Sequence, residues 1–266
     1  MIYSPLIVAF FSVLAAQCFC FTYAAIIGQV HSLREIASHL LLPSGAPFAG
    51  AYIVVHWYAG MHDTYYNDAL FRPRYVLYQL LVVDAFMTLA HFLVHRKLFG
   101  GPFYQISHAP HHTHTPPKMI DAFDGSFIDT ASLIIAPLFI TSRLVHASTY
   151  EYMCFGVLWS SFLTLIHSPT DHFWERTFFW KVCCLATAAH HREHHLHPSR
   201  NMGHIFNIWD HILELFRECL LKKKMTKHNA DYYFPLFRAH ETVRHEDGCD
   251  GGGGKDASAS EIFEYR

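Results

Sequence analysis

Charge is scarce in this chain. Asp, Glu, Lys and Arg make up 16% of the 266 residues, against about a quarter in ordinary soluble domains. The formal net charge is -2, which excludes the basic footprint of a nucleic-acid binder. Cysteine is sparse and unpatterned. The seven (Cys18, Cys20, Cys154, Cys183, Cys184, Cys219, Cys249) are an odd number with no Cys-x-x-Cys spacing. They read as reduced thiols, with neither a disulfide framework nor a cysteine metal site. No His-Glu-x-x-His occurs, so the helical zinc-protease signature is missing; Glu193 precedes His194 instead. No Gly-x-Ser-x-Gly supports a serine hydrolase. No internal repeat is present.

Apolar residues fill the space that charge leaves. The chain is 52% hydrophobic, with 23 Phe and 14 Tyr, a balance that fits a polytopic membrane protein. Pro5–Gly28 carries no charged residue and is long enough to span a bilayer. It lacks the positive n-region of a signal peptide and its apolar part is too long, so a retained helix is expected. Pro47–Gly60 is shorter than a span and reads as a re-entrant or buried segment. Tyr75–Val94 is the second span. Pro73 opens it, Arg96 and Lys97 stop it, and Gly100, Gly101 and Pro102 break the helix. Tyr104–Asp124 is polar, and Pro110, Pro116 and Pro117 exclude a long regular helix there. Phe127–Val145 and Thr149–Ile166 predict a helical hairpin whose first arm is kinked at Pro137. Ile205–Leu221 reads as an amphipathic helix with Ile208, Ile212, Leu215 and Leu220 among its apolar positions, ending in Lys222, Lys223 and Lys224. Beyond Glu246 the Gly-, Ser- and Asp-rich sequence predicts a mobile tail. The expected fold is all-α: N-terminal membrane segments over 1–74, a catalytic domain over 75–221 and a polar C-terminal region over 222–266.

Histidine is the excess. There are 23, more than the 20 Lys and Arg together. Eight fall in three short windows: His91 and His95; His108, His111 and His112; His191, His194 and His195. The first window is spaced i,i+4 and the third i,i+3,i+4, which on a helix places the rings on one face. Each window adjoins or enters an apolar run, where an ionisable residue is costly and normally has a task. Neutral imidazole is a common metal ligand, and a convergent set suits iron, zinc or copper rather than magnesium or calcium. Eight ligands exceed the needs of one ion, so two metals are implied. His31, His39, His228, His240 and His245 read as surface or satisfied polar residues, and His56 and His62 fit either reading.

The pattern His-x-x-x-His, His-x-x-His-His, His-x-x-His-His on an apolar chain resembles the fatty acid hydroxylase and sterol desaturase superfamily, over about Asp84 to Asp210. Among its branches the chain is most similar to the sterol C-5 desaturases. Asp84, seven residues before His91, matches an aspartate of that branch. SHAPHHTHTPP matches its second box, and ATAAHHREHHLHPSRNMGHIFNIWD its third box with Asn201, Gly203, Trp209 and Asp210. Phe92 stands where the branch has arginine, and His197–Arg200 replaces an aromatic run, so the boxes specify the metal chemistry and not the substrate.

The resemblance implies membrane helices under a cytosolic, histidine-rich cap that holds two non-haem irons. It implies O2-dependent hydroxylation or desaturation of a lipid-like substrate: a sterol, an acyl lipid or an apolar natural product. His91, His95, His108, His111, His112, His191, His194 and His195 are the expected ligands, with His167 of HSP as the added one. Asp84 and His190 are expected to support the ligands, and His114 and His172 are weaker candidates for the same task. Asp84 is expected to hydrogen-bond a histidine of the second or third box, with Asp84→Asn leaving the fold intact. No cytochrome b5-like His-Pro-Gly-Gly and no nucleotide fingerprint occurs, so electrons are expected from a separate donor such as cytochrome b5 with its reductase. The location implied is the endoplasmic reticulum membrane, multi-pass, with the centre facing the cytosol. The lysine run then falls on the cytosolic side, as the positive-inside tendency prefers, whereas Arg72 and Arg74 fall across the membrane. The rival readings are a non-catalytic or zinc-binding membrane protein that retains the boxes, with zinc in the purified protein, and an interaction protein using its aromatic face.

Overall fold

The computed structural model describes residues 4–29, 32–34, 36, 70–96 and 101–225. Pro47–Gly60, the tail beyond Glu246 and His31, His39, His56, His62, His228, His240 and His245 lie outside the described residues. Among the described residues the chain is helical with no strand, and Leu185 and Phe206 form an isolated antiparallel bridge. It divides into two units, Met1–Leu215 and Phe216–Arg266. The first contains α1 (Ser4–Ile26), α2 (Pro73–His95), α3 (Gly101–Ser107), α4 (Phe127–Leu144), α5 (Thr149–Ile166), α6 (Phe178–Val182) and α7 (Ala188–Leu196). α8 (Ile208–Met225) crosses the boundary between the units.

α5 is the central helix. α1 packs along it, and α2 packs against both α5 and α4. Its buried residues include Tyr152, Phe155, Trp159, Leu163 and Ile166, which recur at helical spacing and meet Val83 and Met87 of α2 and Leu138 of α4. Phe155 and Trp159 stack at 5.5 Å. Ser148 caps α5, and Glu151 completes a capping box by accepting the Ser148 N–H at 2.8 Å. The fully buried Glu151 also accepts from Arg72 N at 2.7 Å and Arg72 Nε at 3.2 Å. The Arg72 charge at the far end of α2 is therefore paired within the protein.

α2 and α4 are long and apolar enough to cross a membrane, by length and composition. Phe10–Ile26 of α1 is a shorter apolar helix. Leu77, Tyr78 and Leu89 of α2, Phe139 and Leu144 of α4, and Phe19 of α1 point outward and exposed, as suits a lipid-facing surface. α4 is not wound uniformly. Thr130–Ile135 is π-helical between α-helical turns. Pro137 lies just past that stretch, so its missing N–H falls where the winding returns to α. α2 and α5 both end at the histidines. The partial negative charge of two helix C-termini is thereby aimed at one place, which favours a cation there.

Candidate metal centre

The histidines of the three boxes and His167 converge in two groups. His91, His95, His108, His112 and His194 form one, and His111, His167, His191 and His195 the other. Within each group the ligand atoms all lie within 4.8 Å of one another. Local winding explains the division. His91 and His95 share a face of α2. In α7, His191 and His195 share a face, and His194 turns to the other group. The second box sits on a short 3-10 turn, His111–Thr113, preceded by Pro110, so its rings fan out instead of aligning. His167 caps the C-terminus of α5. α7 is itself anchored at its start. Thr187 caps it, and the Glu175 carboxylate accepts the Ala188 N–H at 2.8 Å, where helix N-termini favour negative charge.

The inward atoms are the Nε2 nitrogens. His91 Nε2 lies 2.8 Å from His108 Nε2 and 3.0 Å from His95 Nε2. His112 Nε2 lies 3.0 Å from His108 Nε2 and 3.2 Å from His95 Nε2. In the second group, His167 Nε2 is 3.2 Å from His111 Nε2 and 3.0 Å from His191 Nε2. His195 Nε2 is 3.2 Å from His191 Nε2.

The outward nitrogens decide the tautomers. His91 Nδ1–H donates to Met202 O at 3.0 Å, and His111 Nδ1–H to Asp124 O at 2.9 Å. His167 Nδ1–H donates to Leu163 O at 2.7 Å, and His194 Nδ1–H to Arg200 O at 2.6 Å. A carbonyl can only accept, so each of these rings carries its proton on Nδ1 and a bare lone pair on Nε2. His111 and His167 therefore point two lone pairs at each other across 3.2 Å. That contact is repulsive as a hydrogen bond, and a cation between the rings would resolve it. The Nε2 of His194, also a lone pair, is buried without a partner. The donor set thus fits metal ions.

Protonation does not relieve the crowding. Burial, followed by neighbouring imidazoles, holds His108, His191 and His194 well below the usual histidine range. The same order of causes brings His112 down to about 3 and lowers His195. Burial lowers His111, which the Asp124 carbonyl partly offsets. The rings are neutral at pH 7, the state in which imidazole binds metal.

Residues 76–214, about half of the chain, match the fatty acid hydroxylase family. The chain belongs to that family. The three histidine boxes point the same way. The alternative squalene epoxidase of Phaeodactylum tricornutum is 34% identical over 186 residues, which are 69% of this chain and 52% of that protein. The chain thus spans about half the length of this curated relative. No solved structure matches.

Around the nine histidines, this fatty acid hydroxylase family member departs from expectation at Asp84. It touches no histidine ring. Its Oδ1 accepts from Ile205 N at 3.0 Å and its Oδ2 from Phe206 N at 2.8 Å. The physical reason is reach: Asp84 lies two turns below His91 on α2, beside the loop that follows the third box rather than beside the box. That loop returns the effect to the centre, because its Met202 carbonyl fixes His91. His190 does not join either group. It faces Asp210 at 3.0 Å, and Asp210 also accepts from Met202 N and Gly203 N. His172 bridges Tyr23 OH and Leu165 O at 2.9 Å each and stacks on Trp174. His114 faces Asp121 and Asp124 in a separate, partly exposed group.

Asn201 and Gly203 have structural tasks. Asn201 adopts a left-handed backbone (φ 55°), which asparagine tolerates, and its amide donates to His190 O at 3.0 Å. A Cβ on Gly203 would meet Phe206 O at 2.6 Å and Asp210 Oδ2 at 3.0 Å. Gly203→Ala is therefore expected to destabilise the protein by about 1–3 kcal/mol, as overpacking does, and to loosen Met202 from His91. A thermal melt and the metal content of the purified variant check this. Unchanged values for both would show that the loop does not hold the box.

Two residues escape sequence reasoning. His204 is buried, with ring centroids 4.7 Å from His91 and 5.4 Å from His191, so it touches both groups. Burial and the nearby His111 bring it down to about 3, and its Nδ1 has no partner. It directly follows the Asn-x-Gly stretch, but at no ligand spacing from the third box. Asp129 accepts from His108 Nδ1 at 2.9 Å. The signal for it was available: a carboxylate at the start of an apolar run has the same cost that singles out Asp84. A small cavity of about 40 Å³ lies beside the second box, lined by apolar residues such as Met87, Phe123, Leu133 and Leu163 and equally by His108, His111, Asp129, Thr130, His167 and His204.

Proposed function

We propose that this chain is a membrane-bound non-haem diiron oxidoreductase that uses O2 to oxidise a lipid-like substrate. The observation that carries this reading is the convergence of the Nε2 nitrogens, with the opposite nitrogens of His91, His111, His167 and His194 tied to backbone carbonyls. His91, His95, His108, His112 and His194 would hold one iron, and His111, His167, His191 and His195 the other. An all-imidazole set favours a transition metal over magnesium or calcium. Such a pair, when bound, supplies activation of O2 for attack on an unactivated C–H or C=C bond. The chain's own residues fix the rings and keep the approach dry. Met202, Asp124, Leu163 and Arg200 orient imidazoles through their carbonyls, and Met87, Phe123, Leu133 and Leu163 pack beside the second box.

The substrate class follows from the family and from the relative. Family membership suits a sterol, an acyl lipid or another apolar natural product. The relative's name, alternative squalene epoxidase, favours a long unsaturated lipid and adds epoxidation to hydroxylation and desaturation. The membrane reading places α2 and α4 across the bilayer with α1 and α5 beside them, giving four spans, or five if Pro47–Gly60 crosses. The histidine end then faces the cytosol from the endoplasmic reticulum membrane. Electrons come from a separate donor such as cytochrome b5 with its reductase.

Lipid profiling of cells with and without the chain tests this reading. An oxygenated or desaturated lipid should accumulate only with the wild-type chain and only in air. An unchanged lipid profile from a chain that purifies with zinc and no iron would favour the non-catalytic rival.

A further inference from the structure

We propose that Asp124–Asp129 is a clamp that sets the second box, with Asp129 as a positioning residue and Gly125 as the space that admits it; this rests on the metal-centre reading above. The stretch reaches both groups of histidines. Its Asp124 carbonyl accepts from His111 Nδ1 at 2.9 Å, and its Asp129 carboxylate accepts from His108 Nδ1 at 2.9 Å. His108 belongs to the five-membered group and His111 to the four-membered one. One short segment thus orients an imidazole in each.

The clamp is braced internally. Ser126 Oγ donates to Ser107 O at 2.8 Å, immediately before His108. The same hydroxyl accepts from Asp129 N at 3.0 Å and caps the start of α4. The side chain of Asp129 is largely buried (14% exposed), so its carboxylate has little freedom to swing away. Gly125 is where the brace is most sensitive. A Cβ there would stand 2.7 Å from Asp129 Oδ2, and the carboxylate would have to move. The π-helical stretch begins at Thr130, directly after the clamp. A carboxylate on the outer nitrogen of a metal-binding histidine fixes its tautomer and raises its basicity, and losing such a partner typically costs 10- to 100-fold in metal affinity.

The test uses the full chain, purified as wild type, Asp129→Ala, Asp129→Asn and Gly125→Ala. Metal affinity is read by chelator competition, the coordination by the visible spectrum of the cobalt-loaded protein, and folding by a thermal melt. Asp129→Ala should bind one of its two metals about 10- to 100-fold more weakly, with an altered cobalt spectrum. Asp129→Asn should recover much of the loss, because its amide oxygen still accepts from His108 Nδ1. Gly125→Ala should resemble Asp129→Ala although it removes no donor or acceptor. Wild-type affinity and spectrum in folded Asp129→Ala, or in Gly125→Ala, would overturn the clamp and leave the metal centre standing. If the wild-type chain itself takes up no metal, the metal-centre reading fails and the clamp falls with it.

Discussion

Replacing His111 with Ala is expected to abolish turnover and to strip one metal from the protein, while the helices still insert. His111 is one of four imidazoles in its group, so its loss leaves three. The effect should differ in kind from truncating a core residue. Removing Trp159 or Phe155 would empty packed space and cost about 3–5 kcal/mol whatever metal is bound. Removing His111 deletes one of two lone pairs that face each other at 3.2 Å, so the metal-free protein loses a repulsion along with a ring. Stability without metal should therefore change little, and the stabilisation by added metal should shrink. His194→Ala should do the same in the other group. The check is turnover, metal content and melting temperature with and without metal. Normal turnover at normal metal content in either variant would remove these residues from the centre.

Asp84→Ala should have a large effect on folding although Asp84 touches no imidazole. The carboxylate is fully buried and accepts two backbone N–H groups, from Ile205 and Phe206. Truncation leaves both donors without a partner, at about 1–3 kcal/mol each. Asp84→Asn should also cost stability, where the sequence predicts weaker metal binding or turnover with the fold intact. A carboxamide offers one accepting oxygen, and its NH2 would confront the other N–H. A loss of about 1–3 kcal/mol follows, with metal content falling as Met202 loses its hold on His91. Thermal melts of the two variants with metal analysis measure this. Wild-type stability for Asp84→Ala would show that the loop after the third box is held elsewhere.

These residues also mark how far the sequence could be read. The box histidines were legible because helical spacing puts i,i+4 rings on one face, and because imidazole at membrane depth needs a reason. The helices α1, α2, α4 and α5 were legible from apolar runs bounded by Pro73, Ser148 and the glycines near residue 100. Their division of nine histidines into five and four was not, because the second box turns on a 3-10 segment whose ring directions no periodicity predicts. Asp84 was singled out correctly by the cost of a buried charge, but cost does not name the partner. Backbone N–H groups from the loop after the third box satisfied it, and nothing in the local sequence announces a contact 121 residues away. His204 was not legible for the same reason, since the His91 ring it meets is distant in the chain and close in the fold, whereas Asp129 carries the same buried-charge signal as Asp84.

The central claim is that nine imidazoles hold two iron ions. Metal analysis of the chain, purified without chelator and joined to X-ray absorption at the iron edge, tests it most directly. The expected result is two irons per chain with a first shell dominated by imidazole nitrogen, both lost when His111 and His194 are replaced together. A protein that binds no metal, or a single ion with mainly oxygen or sulfur neighbours, would contradict it.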